Sequence, residues 1–172
     1  MKSHMATNFL EQLIAEWYEY KGYFVRRNIL VGRRAKGGYE SELDIVAFNP
    51  FTKHLIHIEP SMDADSWAVR EKRFKNKFDA GRKHIPGLFK GLHLPNDIDQ
   101  VAILVLASKA NHSSLGGARL RLIDELIEEI FNEFRNMHLA SNAIPEHLTV
   151  LRSFQFVVEY KKTIYRALEI SD

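Results

Sequence analysis

The chain has 172 residues, 45% apolar and 27% charged, which favours a single soluble domain with a real core. It contains no cysteine, so a disulfide framework and a thiolate metal site are both excluded. No apolar run approaches the roughly 20 residues that span a bilayer and the N-terminus lacks the apolar core of a signal peptide, so a cytoplasmic protein without membrane contact is expected.

Met1-Lys2-Ser3-His4-Met5 reads as a cloning remnant, which leaves residues 6–172 as one domain. Asn8 to Tyr20 is expected to be a helix, because Phe9, Leu10, Leu13, Ile14 and Trp17 recur at helical spacing. Thr7 or Asn8 is its cap, with Glu11 in the first turn, and Gly22 ends it. Tyr23 to Val31 is aromatic and β-branched, hence a strand. Gly32 to Gly38 is a basic loop. Glu40 to Phe48 and Lys53 to Glu59 are two strands joined through a turn at Asn49-Pro50. A helix is expected from Asp63 to about His84, with Trp67, Phe74, Phe78 and Ile85 along one stripe, Gly81 beside them and Pro86-Gly87 as the stop. Asp63 and Asp65 are its natural N-terminal caps. Val101 to Ala107 is a continuous apolar run and reads as a strand buried on both faces. Asn111 to Gly117 is a loop. An amphipathic helix is predicted from Ala118 to about Leu139, packing on the sheet or on a second copy in a dimer. Leu148 to Tyr160 and Thr163 to Ile170 read as two closing strands. The fold class is therefore α/β, a mixed sheet flanked by helices.

The net charge of +2 is a weak signal, but its distribution is uneven. Cations cluster at Lys21, Arg26, Arg27, Arg33, Arg34 and Lys36, and again from Arg70 to Lys90. Acids concentrate between Asp124 and Glu133. Such asymmetry suits a polyanionic partner on one face, and the plain alternative is a solvated helix face and loop.

The most informative stretch is Glu40-Ser41-Glu42-Leu43-Asp44-Ile45-Val46-Ala47 followed by His54-Leu55-Ile56-His57-Ile58-Glu59-Pro60-Ser61. Each strand carries an acid where an apolar residue is the safer core choice. Side chains alternate along a strand, so Asp44 shares a face with Glu42, and Glu59 shares one with His57 and Ser61. Paired antiparallel, the strands bring Asp44 and Glu59 to one point. Two carboxylates there repel unless a proton or a divalent cation lies between them, and hard oxygen donors suit Mg²⁺ or Mn²⁺.

This order of elements, with an acid on the second strand and another ending the third, resembles the PD-(D/E)XK nuclease superfamily over roughly Asn8 to Ala107. The resemblance implies a restriction-endonuclease-like fold, an α-β-β-β-α-β core to which the C-terminal helix and two strands are additions. Asp44 matches the motif Asp and Glu59 the motif Glu, so the resemblance implies these two as catalytic metal ligands. Glu11 or Glu16 matches the helical Glu that often joins them, Glu11 being the metal candidate. Where the family has Lys, this chain has Ser61, after Pro60. In the family that Lys orients or helps deprotonate the attacking water and offsets charge on the phosphate, and a serine supplies no cation. Two readings follow. In one, a cation from the next helix takes over. Arg70, Arg73 and Lys77 flank one side of its apolar stripe, Lys75 and Arg82 flank the other, and Lys77 is the best placed. The expected activity is then Mg²⁺- or Mn²⁺-dependent hydrolysis of phosphodiester bonds in nucleic acid, DNA being favoured, with Asp44, Glu59, Lys77 and Ser61 at the centre. Arg33, Arg34, Lys36, Arg70, Arg73 and Lys77 would contact phosphates. In the other, the site has decayed and the protein binds nucleic acid or serves as a subunit of a larger complex.

Overall fold

The computed structural model describes residues 8–89 and 91–168. Thr7, Lys90, the Met1–Met5 segment and the end of the last expected strand lie outside the described residues. The chain divides into two compact units, one ending at Ile123 and the other beginning at Asp124.

Among the described residues, the first unit holds a six-stranded mixed sheet of β1 (Phe24–Arg33), β2 (Tyr39–Asn49), β3 (His54–Ser61), β4 (Asp99–Leu104), β5 (Ser114–Leu115) and β6 (Ala118–Leu122), in the order β1-β2-β3-β4-β6-β5. Helix α1, Phe9–Tyr20, buries Leu10, Leu13, Ile14 and Trp17 at helical spacing, and Asn8 caps it by accepting the Leu10 N–H at 3.0 Å. Strands β1, Phe24–Arg33, β2, Tyr39–Asn49, and β3, His54–Ser61, form an antiparallel meander. The β2–β3 turn is held by Asn49, whose side-chain oxygen accepts the N–H groups of Phe51 and Thr52 at 2.9 and 3.1 Å. Helix α2, Trp67–His84, then crosses over to β4, Asp99–Leu104, which runs parallel to β3. Phe74, Phe78 and Ile85 of the expected stripe are buried. Phe74 and Phe78 pack with Ala102, Leu104, Leu115, Ala118 and Leu120, while Ala80 and Ile85 pack with Ile29, Val31, Leu43, Val46, Phe48 and Leu55. Helix α2 thus spans two apolar clusters, and this fixes its polar positions against the sheet.

Several expected boundaries are corrected. Helix α2 starts at Trp67 rather than Asp63, because Asp63 is engaged by arginines and does not act as a cap. The helix expected from Ala118 begins only at Ile123. Ala118–Leu122 is instead β6, parallel to β4, and its residues alternate between burial of Ala118 and Leu120 and exposure of Arg119. The loop before it contains the short β5, Ser114–Leu115. The turn between β5 and β6 is Gly116-Gly117, both at positive φ, as a two-residue hairpin demands. A side chain at Gly116 would meet the Lys75 backbone nitrogen at 2.5 Å, so the glycine also lets the turn press on α2.

The second unit holds most of α3, Ile123–Phe134, with α4, Thr149–Glu159, and α5, Lys161–Ala167. The two closing strands expected from Leu148 to Ile170 are therefore helices as far as the chain is described. Their β-branched and aromatic content reads as strand, but burial of Leu148, Leu151 and Gln155 follows the helical repeat. Gln155 is buried because it serves the preceding loop, accepting the Ile144 N–H at 2.8 Å and donating to the Asn142 carbonyl at 3.0 Å. No helix among the described residues is long and apolar enough to cross a membrane.

Candidate active site

The β2–β3 ladder runs from Asn49↔His54 to Ile45↔Ile58. One step further, the register faces Asp44 with Glu59, and there the strands part. The Asp44 N–H donates to the Glu59 side chain, Oε1, at 3.3 Å. β2 continues along β1 as far as Tyr39, while β3 continues along β4 as far as Ser61. On the other flank Asn28, between the pairs Arg27↔Ile45 and Ile29↔Leu43, adopts positive φ opposite Asp44. Asp44 therefore sits where regular pairing lapses on both sides, at the base of a fork in the sheet.

Lys77 reaches this fork from the middle of α2. Its Nζ donates to Asp44 Oδ1 at 2.6 Å and to Glu59 Oε2. Glu59 is 1% exposed, Asp44 14% and Lys77 27%, so the cluster is deepest at Glu59 and meets solvent through Asp44 and Lys77. Burial raises the Asp44 carboxyl to about 7, and the neighbouring Glu59 charge adds to the rise, with Lys77 opposing it. Burial likewise raises Glu59, against the pull of Lys77. For Lys77, burial works downward, but Glu59 and Asp44 outweigh it and its pKa is raised. Glu11 on α1 is raised by its own burial and then by Asp44. Glu16, the other α1 candidate, is buried and accepts a hydrogen bond from Gln12 at 2.6 Å.

A further buried chain leads away from Glu59. His57 Nε2 lies 2.7 Å from Glu59 Oε1, and His57 Nδ1 lies 3.1 Å from Gln100 Nε2. Gln100 Nε2 also donates to the Phe78 carbonyl at 2.9 Å, and Arg82 donates to Gln100 Oε1. Burial, followed by the Lys77 charge, lowers His57 to about 3, so the ring is neutral near pH 7. The sequence pattern singles out neither Gln100 nor its link to His57. The only trace is a polar residue immediately before the apolar run Val101–Leu104 on an interior strand.

The remaining expected site residues are placed differently. Ser61 donates to Asp63 and lies 3.3 Å from Arg73 Nη2, in a separate cluster at the end of β3. Arg70 is buried, with Nε on Asp63 Oδ1 at 2.9 Å and Nη2 on the Asp63 carbonyl. Arg73 donates to Asp65 at 2.8 Å and to Asp63. Arg70 and Arg73 are thus both bonded to acids of the chain itself. Arg33, Arg34 and Lys36 are exposed, on the end of β1 and the turn closed by the Arg34 N–H on the Gly38 carbonyl at 3.0 Å. His54 pairs with Tyr23 at 2.7 Å and with Asp99 at 3.4 Å.

Among the described residues, no three His, Asp or Glu side chains converge as a ready-made metal cage. The pair Asp44–Glu59 nonetheless fits a hard cation. Two carboxylates face one ammonium, burial is the first cause of both raised carboxyl pKa values, and at Asp44 the Glu59 charge adds to it, so a cation between them would be favoured. A cavity of about 600 Å³ opens elsewhere, beside Arg82, Gln100 and Arg119. No protein-family model, curated protein or solved structure matches the chain.

Proposed function

We propose that the protein is a divalent-metal-dependent nuclease of the PD-(D/E)XK kind, hydrolysing phosphodiester bonds in DNA in the cytoplasm, and that α1 to β4 is its restriction-endonuclease-like core. The observation that carries this reading is the position of Lys77. Its ammonium meets Asp44 and Glu59 together at the fork of β2 and β3, which supports reading it as the cation that the sequence lacks at Ser61.

In this reading Asp44 and Glu59 hold Mg²⁺ or Mn²⁺, and Glu11 adds negative charge from α1. A bound divalent ion supplies Lewis-acid polarisation of the phosphate and a water of lowered pKa. Lys77 offsets charge on the phosphate and orients the attacking water. Phosphates flanking the scissile bond meet Arg33, Arg34 and Lys36, whose side chains are exposed. Those contacts position the strand without reading its sequence.

The test is cleavage of supercoiled, linear double-stranded and single-stranded DNA, and of RNA, with Mn²⁺ or Mg²⁺. Asp44→Asn and Glu59→Gln should each abolish cleavage while circular dichroism and thermal melting show an intact fold. Cleavage by both variants at the wild-type rate would refute the site. A second reading draws on the same geometry. Lys77 already partly neutralises the two carboxylates, as it would in a decayed site that binds nucleic acid without cutting it or serves in a larger complex. Salt-sensitive DNA affinity with no turnover in any metal would favour that reading.

A further inference from the structure

We infer that Gln100 and His57 are positioning residues that hold Glu59 in the orientation it presents to Lys77 and Asp44. The inference rests on the reading of Glu59 as a metal-holding carboxylate. A buried carboxylate with one fixed oxygen presents the other in a defined direction. Glu59 Oε1 faces two donors, His57 Nε2 at 2.7 Å and the Asp44 N–H at 3.3 Å, while Oε2 faces Lys77.

For His57 to donate from Nε2 while neutral, Nδ1 must accept, and Gln100 enforces this. The Phe78 carbonyl accepts only, so the Gln100 atom 2.9 Å from it is the amide nitrogen. The guanidinium of Arg82 donates only, so the amide atom it meets is the oxygen. The two neighbours fix the same orientation of the amide, and its second N–H then points at His57 Nδ1, 3.1 Å away. The proton of the imidazole is therefore on Nε2, aimed at Glu59.

The ring is also held in place. Phe78 packs edge-on at 5.3 Å, and Gly81 leaves room that a Cβ would take, at 2.3 Å from His57 Nδ1. Three elements, β3, β4 and α2, thus converge to aim one carboxylate oxygen.

The test uses the full chain and does not depend on turnover. Nitrogen-15 NMR of the histidine side chains in metal-free protein reads the tautomer, and calorimetry reads Mn²⁺ affinity. Wild type should show His57 protonated at Nε2 only, and Gln100→Leu should lose that single tautomer. His57→Leu and Gln100→Leu should bind Mn²⁺ about tenfold or more weakly, the usual effect of removing such a supporting partner. His57→Gln, which keeps a side-chain N–H, should recover part of the affinity. Phe74→Leu, an equally buried change on α2, should leave affinity unchanged. Thermal melts of all four variants identify any that fails to fold, and Gln100→Leu and His57→Gln test the same point independently of His57→Leu. An Nδ1-protonated His57, or wild-type Mn²⁺ affinity in folded His57→Leu and Gln100→Leu, would overturn the positioning role alone. An equal loss in Phe74→Leu would reduce it to general core packing and overturn it likewise. Wild-type protein that binds no Mn²⁺ would overturn the metal reading of Glu59, and this role with it.

Discussion

Helix α2 carries two acid–base clusters about two turns apart, and they reach opposite electrostatic outcomes. Around Arg70 and Arg73, two guanidiniums face two carboxylates, Asp63 and Asp65. Burial works to raise Asp63, but hydrogen bonds from Ser61, Arg70 and Arg73 hold its carboxyl well below the usual carboxylate range. Around Lys77, one ammonium faces two carboxylates at greater depth, and both are raised, Asp44 to about 7. The formal chemistry is the same, yet donor count and burial differ. The first cluster is neutral and saturated, so it clamps the loop between β3 and α2. The second is short of one positive charge, so it is poised to take up a proton or a cation.

The comparison breaks most sharply at Lys77. Lys77→Met should lower DNA cleavage by about 10²-fold or more, the scale on which a positioned electrostatic group is felt in a rate. Removing the ammonium also enlarges the charge deficit, so Mn²⁺ should bind at least as tightly as in wild type. Loss of cleavage together with loss of Mn²⁺ binding would mean that Lys77 builds the site rather than acts in it. The Arg70 clamp should respond in the opposite sense. Arg70→Ala should cost about 2 kcal/mol of stability in denaturant melts, for charge-assisted hydrogen bonds removed from a buried side chain. Its Mn²⁺ affinity should stay at the wild-type value.

The pH dependence sharpens the contrast. Asp44 titrates at about 7 when folded and near its ordinary 3.8 when unfolded, so between these values the folded state binds the extra proton. Its contribution to stability is therefore lost as pH rises from about 4 to about 7. His57 runs the other way. It falls from an ordinary 6.5 to about 3, and its contribution is lost as pH drops below about 6.5. Asp44→Asn removes the first limb only. The stability difference between variant and wild type should move in favour of the variant as pH rises from 4 to 7, then level off. Mn²⁺ affinity of the wild type should rise over the same window, with proton release on binding. A flat difference curve would show that Asp44 does not carry the shifted carboxyl.

The parts of this arrangement legible in the sequence are those set by local pattern. Alternation along β2 and β3 places Asp44 and Glu59 on facing positions, and the α2 stripe places Lys77 beside the buried face. The three residues meet, although spacing alone makes Lys77 a candidate without establishing that it reaches the pair. What local pattern does not carry is partner choice. Arg70 and Arg73 have the same helical credentials as Lys77, but the non-helical stretch from Met62 to Ser66 lets Asp63 and Asp65 fold back on them. Gln100 acquires its place only when β4 lies beside β3. The misread C-terminal segments fail for another reason. Val157, Val158 and the aromatics of α4 have strand propensity, and burial of Leu151 and Gln155 overrides it.

In the proposed nuclease reading, Asp63 and Asp65 hold the guanidiniums of Arg70 and Arg73, and contact with phosphates is assigned to cations elsewhere. Arg33, Arg34 and Lys36 are exposed at the β1–β2 turn, which is tied to the end of α2 through Glu40, bonded to Lys83 at 2.7 Å and to His84 at 2.9 Å. Lys83 is six residues beyond Lys77, about 9 Å along the helix. In the proposed reading, a strand held at the fork would extend to this turn. Each phosphate contact contributes about 0.9 to the slope of log affinity against log salt on duplex DNA. The double variant Arg34→Glu/Lys36→Glu should lower that slope by about 2, and Arg73→Glu by less than 1, because Asp63 and Asp65 already occupy its guanidinium. A larger effect at Arg73 would mean that the clamp opens on binding and that its arginines exchange carboxylates for phosphates.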